Sequence, residues 1–129
     1  MKKWLRILSA LCALNLMVTA CVGNKAGAVE AVQKYLQARV EAKVDTLIGL
    51  ACPGWEAQAR IEASTFQALQ ARLQDVQCTE ASNDGSTARV ACTGKIVTTY
   101  NGENKEWNLA DRQFVVVLDG GEWRMCGYE

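Results

Sequence analysis

The sequence predicts an α+β domain in which two to three N-terminal helices pack on a curved, four-stranded antiparallel sheet. Three observations carry this. Apolar residues recur at three- and four-residue steps up to about residue 68, and beyond about residue 71 they alternate with a period of two. Turn signals at Asn83-Asp84-Gly85, Asn101-Gly102 and Asp119-Gly120-Gly121-Glu122 then divide the second half into segments of strand length.

The first helix is expected over 26–43. Val29, Val32, Leu36 and Val40 form one apolar stripe, with Glu30, Lys34 and Glu41 elsewhere on the cylinder. Alanines at 26, 28, 31, 38 and 42 raise its helix propensity. A shorter helical pattern follows in Val44, Leu47, Ile48 and Ala51, and Pro53-Gly54 breaks it. Pro53 suits the first turn of a third helix that carries Trp55 and Ile61, with Glu56 and Arg60 spaced to pair across one turn. The helical part is expected to end near Ala68 and a strand to begin near Ala71.

Ala88, Val90, Cys92, Ile96 and Tyr100 alternate with Arg89, Thr93, Lys95 and Thr99, as on a long strand with one apolar face. A two-residue turn at Asn101-Gly102 would set Ile96 opposite Trp107 and Gly94 opposite Leu109. After Ala110-Asp111 the apolar parity shifts to Phe114, Val116 and Leu118, which predicts a bulge or bend in that strand. The run from Phe114 to Leu118 is apolar on both faces, as a central strand would be, and the last strand is expected over 123–128.

The first 20 residues read as an export signal. Lys2, Lys3 and Arg6 give a positive start, and the apolar stretch from Ile7 to Ala20 is about 14 residues long, short of the roughly 20 that a membrane-spanning helix needs. Val18-Thr19-Ala20-Cys21 resembles the lipobox of bacterial lipoproteins, in which the cysteine is lipidated and becomes the first residue after cleavage. That resemblance implies a lipid anchor at Cys21, a tether over 21–28 and a folded domain over 29–129. Two or more acyl chains would hold the protein to the outer face of a bacterial membrane without a transmembrane helix. The alternative is an ordinary secretory leader cut near Ala20 with Cys21 an incidental thiol.

Beyond Cys12 and Cys21 four cysteines remain, Cys52, Cys78, Cys92 and Cys126, an even number that in an exported chain predicts two disulfides. A hairpin centred near Gly85 puts Cys78 opposite Cys92 on the same face, which pairs these two and leaves Cys52 for Cys126. The longer bridge would close a loop of about 75 residues, worth roughly 4 to 5 kcal/mol. There is no Cys-x-x-Cys and no histidine, so neither a metal site nor a redox pair is expected.

The order of elements is similar to that of the NTF2-like (SnoaL-like, cystatin-related) cone, and in particular to a set of small bacterial lipoproteins of that fold. The matching stretches are Cys52-Pro53-Gly54-Trp55, Cys92-Thr93-Gly94-Lys95-Ile96 and Gly121-Glu122-Trp123-Arg124-Met125-Cys126-Gly127-Tyr128, within about Gly27 to Tyr128. The fold hosts unrelated activities, so it implies an architecture and not a reaction.

The chain carries 14 basic and 14 acidic residues, but three of the bases lie in the leader and no acid does, so the remainder is mildly acidic. It has no basic stripe for nucleic acid. The absence of histidine removes the commonest general base and every Ser-His or Cys-His nucleophile, and no phosphate loop is present. Three functions stay open. The first is a non-catalytic, membrane-tethered domain that binds a small apolar ligand or an envelope protein. The second is an isomerase- or dehydratase-like enzyme using a carboxylate and a tyrosine. The third is a structural envelope lipoprotein.

No cofactor is expected. Asp75 and Asp111 are the acids that could face the sheet interior, with Tyr35, Tyr100 and Tyr128 as donors; Asp111, Trp107, Tyr100 and Tyr35 make the candidate pocket, and Trp55, Trp107 and Trp123 are expected in core or pocket lining. A pocket with a buried acid would favour the enzyme, an apolar pocket without one ligand binding, and a filled core the structural role.

Overall fold

The computed structural model describes residues 27–129, so the expected export signal, Cys21 and most of the expected tether lie outside the described residues. The chain forms α1 (Ala28–Val40), α2 (Val44–Gly49), α3 (Glu56–Gln67) and five strands: β1 (Gln70–Asn83), β2 (Thr87–Tyr100), β3 (Glu103–Asn108), β4 (Gln113–Asp119) and β5 (Glu122–Tyr128). The helices lie on one face of a single antiparallel sheet, as the switch in apolar period predicts. Ala28, at the start of α1, is helical and buried.

α1 buries Ala28, Ala31, Val32, Tyr35, Leu36 and Val40, the stripe that the three- and four-residue steps trace. Its last turn closes with Ala42 in the left-handed region (φ 53°), and Lys43 N–H returns to the Ala38 carbonyl at 3.0 Å. Pro53 opens a single 3₁₀ turn, Pro53–Trp55, that runs straight into α3. On α3 the buried positions are Ala59, Glu62, Ala63 and Phe66, whereas Ile61 points to solvent at 59% exposure. The expected pairing of Glu56 with Arg60 does not occur within 4 Å.

β2 is the spine of the sheet. β1 pairs with its whole length on one side; on the other, β4 pairs with its first part (Thr87–Ala91) and β3 with its last (Lys95–Tyr100). The single third strand expected from sequence is therefore two, and the sheet has five strands. The physical reason is local: Asn108 accepts the Ala110 N–H at 3.0 Å through its side chain, winds Leu109–Asp111 into a 3₁₀ turn and buries Leu109. Ile96 faces Trp107 as expected, but the ladder stops at Lys95 and Asn108, so Gly94 does not pair with Leu109.

The curvature has a residue-level cause. The β1–β2 register slips between Gln74 and Gln77, where Asp75 takes φ 53° and Gly94 opposite takes φ 91°. A Cβ at Gly94 would stand 2.4 Å from the Asp75 carbonyl oxygen, so this close approach admits only glycine. β4 runs between β2 and β5, but with helices on one face only, its Val115 and Val117 are half-buried while Phe114 and Val116 enter the core.

Cys78 lies directly opposite Cys92 and is bonded to it, with a Cα separation of 4.0 Å. Cys52 is bonded to Cys126. Beside that bridge the chain after α2 lies parallel to β5 for one residue, with Cys52 N–H bonded to the Met125 carbonyl and Met125 N–H to the Leu50 carbonyl, both at 2.8 Å. Helices and last strand are thus joined covalently and by backbone hydrogen bonds at one point. Both cysteine pairs are oxidised, as suits a compartment outside the cytoplasm. Among the described residues no helix is long and apolar enough to cross a membrane.

Candidate ligand-binding site

Where the sheet bends away from the helices, α3 and the β3–β4 segment leave a half-open cavity of about 620 Å³. Ile61 and Phe66 from α3 form one wall. Ile96, Trp107, Leu109 and Phe114 from the sheet side form the other. Ile61 and Trp107, 59% and 46% exposed, make the mouth apolar. Arg39, Glu62 and Tyr128 line its polar part, and Asp111 and Arg112 sit exposed on its rim.

Glu62 is 5% exposed, the only buried acid among the described residues. A buried carboxylate persists only if it is hydrogen-bonded and its charge balanced. Here the Tyr35 hydroxyl donates to Oε2 at 2.7 Å and the Tyr128 hydroxyl to Oε1 at 2.8 Å. Each phenol oxygen accepts in turn: Trp55 Nε1–H donates to Tyr35 at 3.1 Å, and Arg39 Nη1–H to Tyr128 at 3.1 Å. The Arg39 Nε stands 3.7 Å from Oε2 and supplies the countercharge. Each tyrosine hydroxyl thus donates one hydrogen bond and accepts one.

Burial, helped by the Glu62 charge and hydrogen bond, pushes the Tyr35 phenol well above the ordinary tyrosine value. Burial also raises Tyr128, with the nearby positive charge of Arg39 opposing it and Glu62 adding to the rise. Both phenols are therefore neutral donors throughout the physiological range. Aromatic packing fixes their places: Trp55 and Phe114 meet the Tyr128 ring edge-on at 5.3 and 5.4 Å, and the Arg39 guanidinium lies 4.9 Å above Phe66.

The residues singled out from sequence fall into three places. Trp107, Asp111, Tyr128 and Trp55 line the cavity. Tyr35 is fully buried and reaches the site only through its bond to Glu62. Tyr100 is 60% exposed at the end of β2 and does not line the cavity; Asp75 is exposed at the β1 irregularity, beside a separate shallow depression with Gly94 and Lys95. Asp111 belongs to the 3₁₀ turn and not to a bulged strand, so its side chain stays at the solvated rim. Trp123 is half-buried beside the core, away from this cavity.

Sequence reading missed Glu62 and Arg39. Their signal was present: Glu62 shares the helical stripe of Ala59, Ala63 and Phe66, and Arg39 that of Val32, Tyr35 and Leu36. A charge on an apolar stripe must find a partner, and these two found each other. No cluster of residues suited to hold a metal ion occurs among the described residues.

No protein-family model matches the sequence, and no curated protein matches it. Solved structures do match. One is an NTF2-like protein from Streptomyces avermitilis named as a candidate dehydratase: 20% identity, TM-score 0.56, covering 76% of this chain and 87% of that one. A second is an NTF2-like protein with a cystatin-like fold from Novosphingobium aromaticivorans, at 15% identity and TM-score 0.56, covering 78% and 76%. The fold is the NTF2-like cone. A third, named as a candidate polyketide cyclase from Pseudomonas putida, agrees at 17% identity and TM-score 0.53 over 79% and 90% of the two chains. At these identities the likeness concerns the cone alone, and the chemistry of its cavity rests on this chain's own side chains.

Proposed function

We propose that this domain is a non-catalytic binding module, held outside a bacterial membrane by lipid on Cys21, that takes a small and largely apolar molecule into the mouth of the cone. The observation that carries the reading is the state of Glu62. A buried acid beside a cavity would by itself favour catalysis. This one already accepts a tyrosine hydrogen bond on each oxygen, and both hydroxyls donate to it and not into the cavity. A general base needs an oxygen presented to the substrate proton, and a general acid a proton to give. Glu62 and the two tyrosines are engaged in joining α1, α3 and β5, while the apolar walls and mouth are left to a ligand.

A second reading, an isomerase- or dehydratase-like enzyme, is favoured by one observation: a carboxylate and a tyrosine do meet at the cavity, as Glu62 and Tyr128. One experiment separates the two. The detergent-extracted protein is titrated with a panel of apolar metabolites, following tryptophan fluorescence and the thermal midpoint. Saturable binding that raises the midpoint, is weakened by Trp107→Ala and leaves the ligand chemically unchanged supports the module. Stereospecific turnover abolished by Glu62→Gln would establish the enzyme instead. Mass spectrometry of the same preparation reads the lipid on Cys21; an unmodified thiol there removes the anchor.

A further inference from the structure

Two arginines line the cavity, and Arg112 has donors that no acid of the lining takes. Arg39 and Arg112 both approach the ring of Tyr128, their guanidinium carbons 6.0 and 5.8 Å from its centre. Arg39 spends one Nη donor on Tyr128, while its buried Nε has no hydrogen-bond partner. Arg112 makes no ion pair within 4 Å among the described residues, nor does Lys105, whose ammonium lies 4.2 Å from the centre of the Trp107 ring at the mouth.

The acids of the lining are differently placed. Both oxygens of Glu62 are taken, and Glu106 is bonded to Lys95 at 2.7 Å. Asp111 makes no ion pair within 4 Å and stands exposed at the rim beside Arg112, where water screens both charges.

We infer that the ligand is an apolar carboxylic acid, its carboxylate held by Arg112 and its hydrocarbon body against Phe66, Ile96, Leu109 and Phe114. A guanidinium with unspent donors matches a carboxylate in two parallel hydrogen bonds, and Arg112 stands at the rim with its guanidinium carbon 5.8 Å from the centre of the Tyr128 ring. Lys105 at the mouth favours the same sign of charge on approach. This inference rests on the binding reading above and adds the sign of the ligand's charge.

The test uses the full-length protein in neutral detergent and pairs of ligands that differ only in the acid: phenylbutyrate with phenylbutanol, decanoate with decanol, cyclohexanecarboxylate with cyclohexylmethanol. The expected result is a Kd at least about tenfold tighter for an acid than for its alcohol, with the advantage cut to about twofold or less in Arg112→Gln and the alcohol unaffected. Arg112 is exposed, so this variant leaves the fold intact. Equal affinity for acid and alcohol overturns the anionic ligand and leaves the binding module standing. An acid advantage that survives in Arg112→Gln overturns the assignment of the carboxylate site. Binding of no member of any pair at millimolar concentration overturns both readings.

Discussion

The hydroxyl of Tyr35, on the first helix, donates to Oε2 of Glu62, on the third, across 2.7 Å and 27 residues of sequence. Both side chains lie out of solvent, so the bond has no water to replace it. Removing the hydroxyl while keeping the ring, in Tyr35→Phe, strips Glu62 Oε2 and Trp55 Nε1 of their partner together. The expected cost is about 2 to 4 kcal/mol, the range for leaving buried polar groups unsatisfied when one of them is charged. Urea unfolding of wild type and variant measures it, and a loss under about 0.5 kcal/mol would mean that the bond is not formed.

The same network sets a response to alkali. Both Tyr35 and Tyr128 have folded-state pKa values raised above the unfolded value of 10.0, so their contribution is fully present below pH 10 and is lost as pH rises beyond it. Stability should therefore fall steeply above pH 10. In the ultraviolet titration of the native protein, two of the three tyrosines should resist ionisation near pH 10 and titrate only with unfolding. Ionisation of all three at pH 10 in a folded protein would contradict this.

The two disulfides should differ in weight. Cys52–Cys126 spans 74 residues and Cys78–Cys92 only 14. In the chain-entropy model the longer is worth roughly 4 to 5 kcal/mol and the shorter about 3. Paired serine replacements at 52 and 126 should lower the denaturation midpoint more than those at 78 and 92. The reverse order would show that the Cys78–Cys92 hairpin, not the helix-to-strand junction, limits stability.

Gly94→Ala should be costly out of proportion to its single methyl group. The new Cβ meets backbone at 2.4 Å, where no flexible side chain can yield, and the residue sits at φ 91°. A loss of about 2 to 4 kcal/mol is expected. Gly85→Ala, also at positive φ but with open space around it, is the control and should cost less.

Much of the fold was legible because it is written in periods. The stripe of α1 and the alternation along β2 each need only local counting, and the turn at Asn83-Asp84-Gly85 brings Cys78 close to Cys92, the slip between Glu80 and Ser82 setting them face to face. The break between β3 and β4 shows in the sequence as a parity shift that predicts a bulge or bend within one strand, because a side-chain cap such as Asn108 leaves no periodic trace. The site was less legible for a deeper reason. Asp111 drew attention by lying at that break, yet burial is decided by which element covers a residue, and nothing covers Asp111. Glu62 and Arg39 sat in plain view on apolar stripes; only their meeting across two helices turns an apparent misfit into the centre of a network.

The lone pairing of Ala51 with Met125 has an effect at the border of the molecule. An outermost strand is a template on which a neighbouring polypeptide can build. By laying Leu50–Cys52 along part of β5 and fastening it through Cys126, the chain occupies one such template itself. Along the opposite margin β1 falls out of step with β2 twice, at Gln74/Gln77 and Glu80/Ser82, and so offers no straight run to an incoming strand. Both features shorten the straight edge that these two margins offer to a neighbouring chain.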